Sequence, residues 1–158
     1  MGTSRIVTPG SKQLPLSNGD WIRVKTRLSA GERHDSYELM YLRNPDGSYV
    51  VNADGRLIVG PANSRRAQIV AYLLDWSLTG PDGSPLVVRG ASPEEIVAML
   101  RAIDEESFDE ISTAILAHEA AMAAERAAQK KILLAPPAAD PTSPSPSVPA
   151  GTLIESAG

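Results

Sequence analysis

Eight of the fifteen residues from 114 to 128 are alanine, and that stretch leaves the backbone little alternative to helix. Alanine gives up no side-chain entropy on entering a helix and heads the propensity scale. Upstream, Ser107-Phe-Asp-Glu110 has capping-box spacing; downstream, Pro136-Pro137 cannot continue a helix. The reading is one long helix over 108–133, about 39 Å at the usual rise per residue. Alanine buries little area, and the larger apolar residues Ile111, Ile115 and Met122 form a narrow stripe that fades towards Glu125 and Arg126. Such a helix lies close against another backbone or projects into solvent.

The rest of the chain supplies shorter elements. Trp21-Ile-Arg-Val-Lys-Thr-Arg-Leu28 alternates, with Ile22, Val24, Thr26 and Leu28 on one face and Arg23, Lys25 and Arg27 on the other, which predicts a half-buried strand. Ser29-Ala-Gly-Glu32 has capping-box spacing and predicts a helix over about 30–42. Two octapeptides come next, Asn44-Pro-Asp-Gly-Ser-Tyr-Val-Val51 and Asn52-Ala-Asp-Gly-Arg-Leu-Ile-Val59. Each Asp-Gly turn precedes a β-prone run, so residues 48–52 are expected to pair with 56–59 as a hairpin. Asn63 or Ser64 can cap a helix running to about Trp76, buried through Ile69, Leu73 and Trp76. Beyond it lie a turn rich in Gly and Pro over 77–85 and a short strand over 86–89. Ser92-Pro-Glu-Glu95 is the best-marked helix start, with Ile96, Leu100 and Ile103 as its apolar stripe.

These elements predict a predominantly helical α+β domain over residues 21–134. It has an N-terminal strand, a β-hairpin, three to four helices and a long Ala-rich helix at its end. Residues 1–20, with Pro9, Gly10, Pro15 and Gly19, read as a flexible arm. Residues 135–158, with six prolines in 24 positions, read as a disordered tail.

Composition closes off several chemistries. With no cysteine and two histidines, neither a disulfide scaffold nor a thiolate metal site is available. His118-Glu119 begins an H-E-x-x-H pattern, but Met122 occupies the second histidine position. The Asp-Gly octapeptides lack the alternating oxygen ligands of a calcium loop. No P-loop or G-x-G-x-x-G is present, and no nucleophile setting accompanies His34-Asp35. The acidic pairs Glu94-Glu95, Glu105-Glu106 and Asp109-Glu110 stand at helix starts, where the dipole accounts for them. The chain therefore reads as a non-enzyme with no metal and no cofactor. Residues 1–90 carry eleven basic and eight acidic groups and residues 91–134 four and nine; that balance does not favour nucleic acid. Apolar runs fall far short of the ~20 residues that cross a bilayer, and the N-terminus lacks an apolar leader core. A cytoplasmic protein is expected.

The segment Ala67-Gln-Ile-Val-Ala-Tyr-Leu-Leu-Asp-Trp-Ser-Leu-Thr-Gly-Pro-Asp-Gly-Ser-Pro85 resembles the helix–tryptophan–turn segment of tail assembly chaperones from siphophages, the phages with long non-contractile tails. Ser92-Pro-Glu-Glu-Ile96, Phe108-Asp-Glu-Ile111, Ala114-Ile115 and His118-Glu119 are similar to the later helices of that family, and Trp21–Leu28 fits its opening. The likeness spans about residues 21–131 and rests on packing residues, not reactive groups; the octapeptides lie outside the family pattern. The resemblance implies a protein that coats the tape-measure protein in the host cytoplasm and keeps it soluble while tail-tube subunits assemble. It also implies absence from the mature virion. On this reading Ile111, Ile115 and Met122, or their neighbours, contact the client or another copy; the competing expectation places them in the domain's own core. The alternative function is a structural virion protein: a head–tail connector, a tail-tube subunit or a decoration subunit.

Overall fold

The alternation at Trp21–Leu28 produces the middle strand of a sheet. In the computed structural model, which describes residue 8 and residues 10–134, strand β1 is Ser11–Pro15, β2 is Trp21–Lys25 and β3 is Leu73–Trp76. Both neighbours run antiparallel to β2, in the order β1-β2-β3. Helices α1 (Ala30–Glu38), α2 (Pro61–Tyr72), α3 (Pro93–Ala102) and α4 (Glu105–Leu134) complete an α+β fold. Ile22 and Val24 of β2 meet Ile69 of α2 and Ile111 and Ile115 of α4, and all five are 0% exposed. Burying each such side chain contributes about 1.5–3 kcal/mol. Ile96 and Leu100 of α3 close the same core. Among the described residues, no helix is long and apolar enough to cross a membrane.

The arm expected over residues 1–20 is corrected from Ser11 onward. β1 pairs with β2 from Ser11↔Lys25 to Pro15↔Trp21. Asn18 (φ 57°) and Gly19 (φ 82°) both take positive φ in the link between them. Asn-Gly supplies that geometry at low steric cost and is a strong short-range hairpin signal. Leu14 and Leu16 pack against the core, and the Ser17 hydroxyl donates to Glu110 Oε2 at 2.9 Å. Expectations for residues 1–7, for residue 9 and for the tail at 135–158 lie outside the described residues.

Three helices also have limits that differ from expectation. α1 stops at Glu38, because Tyr41 and Leu42 pair with the octapeptides. α2 begins at Pro61 behind Gly60, with no side-chain cap, and ends at Tyr72. Leu73–Trp76 leaves the helix and pairs with β2, where its backbone gains ladder partners and Leu73 and Trp76 are buried. Leu74 has no partner on β2, a bulge between Arg23↔Asp75 and Val24↔Leu73. α4 starts three residues early, since Asp104 and not Ser107 caps it: Asp104 Oδ1 accepts the Ser107 amide at 2.8 Å. Residues 86–89 form no strand; Leu86 N–H donates to Leu78 O at 3.0 Å and Val88 enters the core.

The capping box of α1 gives a testable pH dependence. The Ser29 amide, donating to Glu32 at 2.8 Å, and the Lys25 ammonium 2.9 Å away hold the Glu32 carboxyl at about 2 instead of 4.5. Because folding lowers this pKa, the stabilisation is complete above pH 4.5 and is lost as pH falls towards 2. Glu32 is 40% exposed, so solvent screening limits the effect to about 1 kcal/mol. Glu32→Gln is expected to lower stability at neutral pH and to converge with the parent in acid, measured by urea denaturation across that range. A gap that stays constant down to pH 2 would rule out this source.

Candidate binding surface

Each octapeptide folds the same way, and a third loop joins them. Asn44, Asn52 and Gly80 each donate their amide to the carbonyl four residues on, at 2.8, 2.9 and 2.8 Å. The carbonyls of Asn44, Asn52 and Gly80 in turn accept from the amides of Gly47, Gly55 and Gly83. All three glycines have positive φ, from 76° to 87°, as a type I turn closed by a glycine bulge requires. Asp46 and Asp82 both accept the amide and hydroxyl of the serine two residues on. The serine hydroxyl and then the amide hold each carboxyl below its ordinary range. The aspartates thus do turn chemistry.

The octapeptide spacing then builds something no single hairpin would. Leu42 donates to Ile58 O at 2.9 Å, Ile58 to Val50 O at 3.1 Å, and Val50 to Leu42 O at 2.9 Å. Three residues eight apart thus close a ring of backbone hydrogen bonds. The expected hairpin is present as Val51↔Leu57, but Tyr41↔Val59 and Arg43↔Tyr49 add a third segment to it. Side chains alternate along extended backbone. Leu42, Val50 and Ile58 are half-buried, while Val51, Leu57 and Val59 stand outside at 52, 43 and 48% exposure. Tyr41, Tyr49 and Arg43 complete the outer belt. The Arg43 guanidinium lies 4.4 Å from the Tyr49 ring, whose hydroxyl donates to Glu38. That bond to a carboxylate pushes the Tyr49 phenol pKa up.

The residues singled out on the long helix divide. Ile111 and Ile115 lie wholly in the core, so neither presents a surface to a partner. Their stripe faces Ile22, Val24 and Ile69, because the sheet and α2 require it. Met122 is half-buried and lines a shallow cleft with Thr26, Arg27, Glu125, Arg126 and Gln129. His118, expected on a helix flank, is buried instead. Its Nε2–H donates to Lys25 O at 2.9 Å, tying α4 to β2, and its Nδ1 has no partner.

Polar residues on α4 also turn out to be cross-links. Glu119 accepts from Arg33 at 3.4 Å, from Tyr72 Oη at 3.2 Å and from Gln68. Burial, and then the Glu119 charge, raise the Tyr72 phenol pKa. Arg65 reaches Asp109 at 2.7 Å and Ser112 Oγ at 3.1 Å, with its guanidinium 5.2 Å from the Phe108 ring. Asp109 and Glu110, expected to serve the helix dipole, therefore join α4 to α2 and to the β1–β2 link. These pairs connect distant segments, so nothing in local sequence announces them. His34 and Asp35 are exposed. Among the described residues, no group of three or more His, Cys, Asp or Glu is placed to hold a metal ion.

No family model, no curated protein and no solved structure matches this chain.

Proposed function

We propose that this chain is a phage tail assembly chaperone, a non-enzymatic protein that keeps the tape-measure protein soluble in the host cytoplasm while the tail tube is built. The observation that carries this reading is the exposed aliphatic belt of Val51, Leu57 and Val59. Contiguous apolar surface left in water marks sites of contact with a partner. Here the backbone beneath it is already paired in a ring, so the belt offers side chains and not an open strand edge. A surface of that kind masks apolar stripes on a helical client reversibly, without templating aggregation. Arg43 and the tyrosines beside it give the belt a polar rim.

The test is a Val51→Thr, Leu57→Ser, Val59→Thr variant co-expressed with the tape-measure protein of the same genome. Recovery of the soluble complex is expected to fall at least tenfold, about 1.4 kcal/mol of affinity. Stability of the chaperone itself should shift by no more than about 0.5 kcal/mol per site, since the side chains are exposed. Undiminished recovery by a folded variant removes the belt as the client site. Mass spectrometry of purified virions tests the wider reading. A fixed copy number in the particle would overturn the chaperone role in favour of a structural virion subunit.

A further inference from the structure

Among the described residues, nothing buries the second half of α4. The last α4 residue in the core is Ile115, and every side chain from Ala123 to Ile132 is exposed. Over these ten residues, about 15 Å of helix, one side borders the cleft that Thr26 and Arg27 share with Glu125, Arg126 and Gln129, and the other faces solvent. Along its solvent side α4 carries Glu106, Asp109, Thr113, Leu116, Ala120, Ala123, Ala127 and Lys130, separated by steps of three and four in strict alternation. All are exposed, Leu116 at 48%. That is coiled-coil spacing, and Leu116 with Ala120, Ala123 and Ala127 forms its apolar middle.

We propose that α4 pairs antiparallel with α4 of a second copy of this chain, about a twofold axis level with residue 118. Two independent observations select this occupant and this direction. First, the alternation reads the same from either end. In the antiparallel register Leu116 faces Ala120 of the second copy, Thr113 faces Ala123 and Glu106 faces Lys130. A large side chain thus meets a small one on both sides of the axis, as an isologous interface demands. Second, charge is split along the helix. Residues 105–119 hold five acids and no Lys or Arg, while 120–134 hold Arg126, Lys130 and Lys131 against Glu125 alone. Antiparallel pairing brings the Glu105–Glu106 end of one helix beside the Lys130–Lys131 end of the other, with Glu106 directly opposite Lys130; parallel pairing stacks acid on acid. Asp109 opposite Ala127 is not stranded, because Arg65 already holds it at 2.7 Å. Tyr37, also exposed, lines the same cleft as Leu116 and widens the apolar centre.

The full chain is expected to sediment as a dimer that dissociates on dilution. Lys130→Glu with Lys131→Glu should weaken the dimer at least tenfold, as should Glu105→Lys with Glu106→Lys. All four changes together restore the attraction and should return the dimer to within about threefold of the parent. All four side chains are exposed, and circular dichroism checks that each variant keeps its helix. Direction has its own readout, because the chain contains no cysteine. A spin label on Ala128→Cys, exposed and just outside the seam, should lie about 30 Å from its symmetry mate in the antiparallel pair, ten residues of helix on each side of the axis. A monomer at every concentration, failure of the fourfold swap to restore association, or labels close together would each overturn the proposal. None of these results depends on the client, so they stand apart from the belt experiment.

Discussion

Ile115→Asp is expected to abolish cooperative folding. Ile115 is wholly buried between the sheet and α2. Truncating an isoleucine there costs about 2–5 kcal/mol for the lost transfer energy and the cavity. An unpaired carboxylate in the same place adds several more, or takes up a proton to avoid ionising. Domains of this kind hold only about 5–15 kcal/mol in total, so the variant has little or no stability left at neutral pH. Urea denaturation followed by circular dichroism measures it, with Ile132→Asp on the same helix as control. Ile132 is 75% exposed, and that change should stay within about 0.5 kcal/mol. Equal stability of the two variants would mean that α4 does not seat its Ile115 face on the sheet. The contrast also fixes how loss of binding to the proposed client by Ile115→Asp must be read: it reports an unfolded chain, not a removed contact.

Trp76→Ala is expected to cost about 3–5 kcal/mol, the second-largest effect of a single change. Trp76 ends β3 opposite Ile22, is 4% exposed, and donates Nε1–H to Leu86 O at 2.6 Å. The side chain therefore does two jobs: it fills the end of the core and pins the third turn loop, whose Leu86 also donates to Leu78 O. Trp76→Phe separates them. The ring area largely survives while the Leu86 carbonyl loses its partner, which costs about 1–3 kcal/mol. Stability measured in urea should rank parent, Trp76→Phe, Trp76→Ala. Equal values for Phe and Ala would assign the whole effect to the hydrogen bond. Trp21→Phe, at a half-buried position on the other face of the sheet, is expected to change little.

Elements with local causes are legible in the sequence. Ser29 and Ser92 cap their helices through full capping boxes, as the spacing to Glu32 and Glu95 predicts. Ile22 and Val24 alternate into the core, and Trp76 lies there too. The Asp-Gly octapeptides make their turns. Two further signals are local but sit in misleading company. Asn18-Gly19 marks a hairpin inside a stretch whose Pro and Gly content suggests a loose arm, and Gly80-Pro-Asp-Gly83 is a third copy of the octapeptide turn. The candidate surface is legible only in part. The repeat points to a hairpin, but the third segment at 40–44 and the outward turn of Val51, Leu57 and Val59 come from the closed ring.

Sequence by itself determined where the chain turns, where α1 and α3 start, and which side chains are apolar enough to seek burial. Those are short-range properties: a cap, a positive φ, a period of two or 3.6 residues. Tertiary structure alone decided that Leu73–Trp76 is a strand and that His118 is buried. It decided too that Ile111 and Ile115 are spent on the core while the α4 side chains from Ala123 to Ile132 are exposed. Each of those outcomes depends on what a distant segment offers, an open edge on β2 or a carbonyl at Lys25. The free energy of such a match belongs to the pair and is written in neither segment alone.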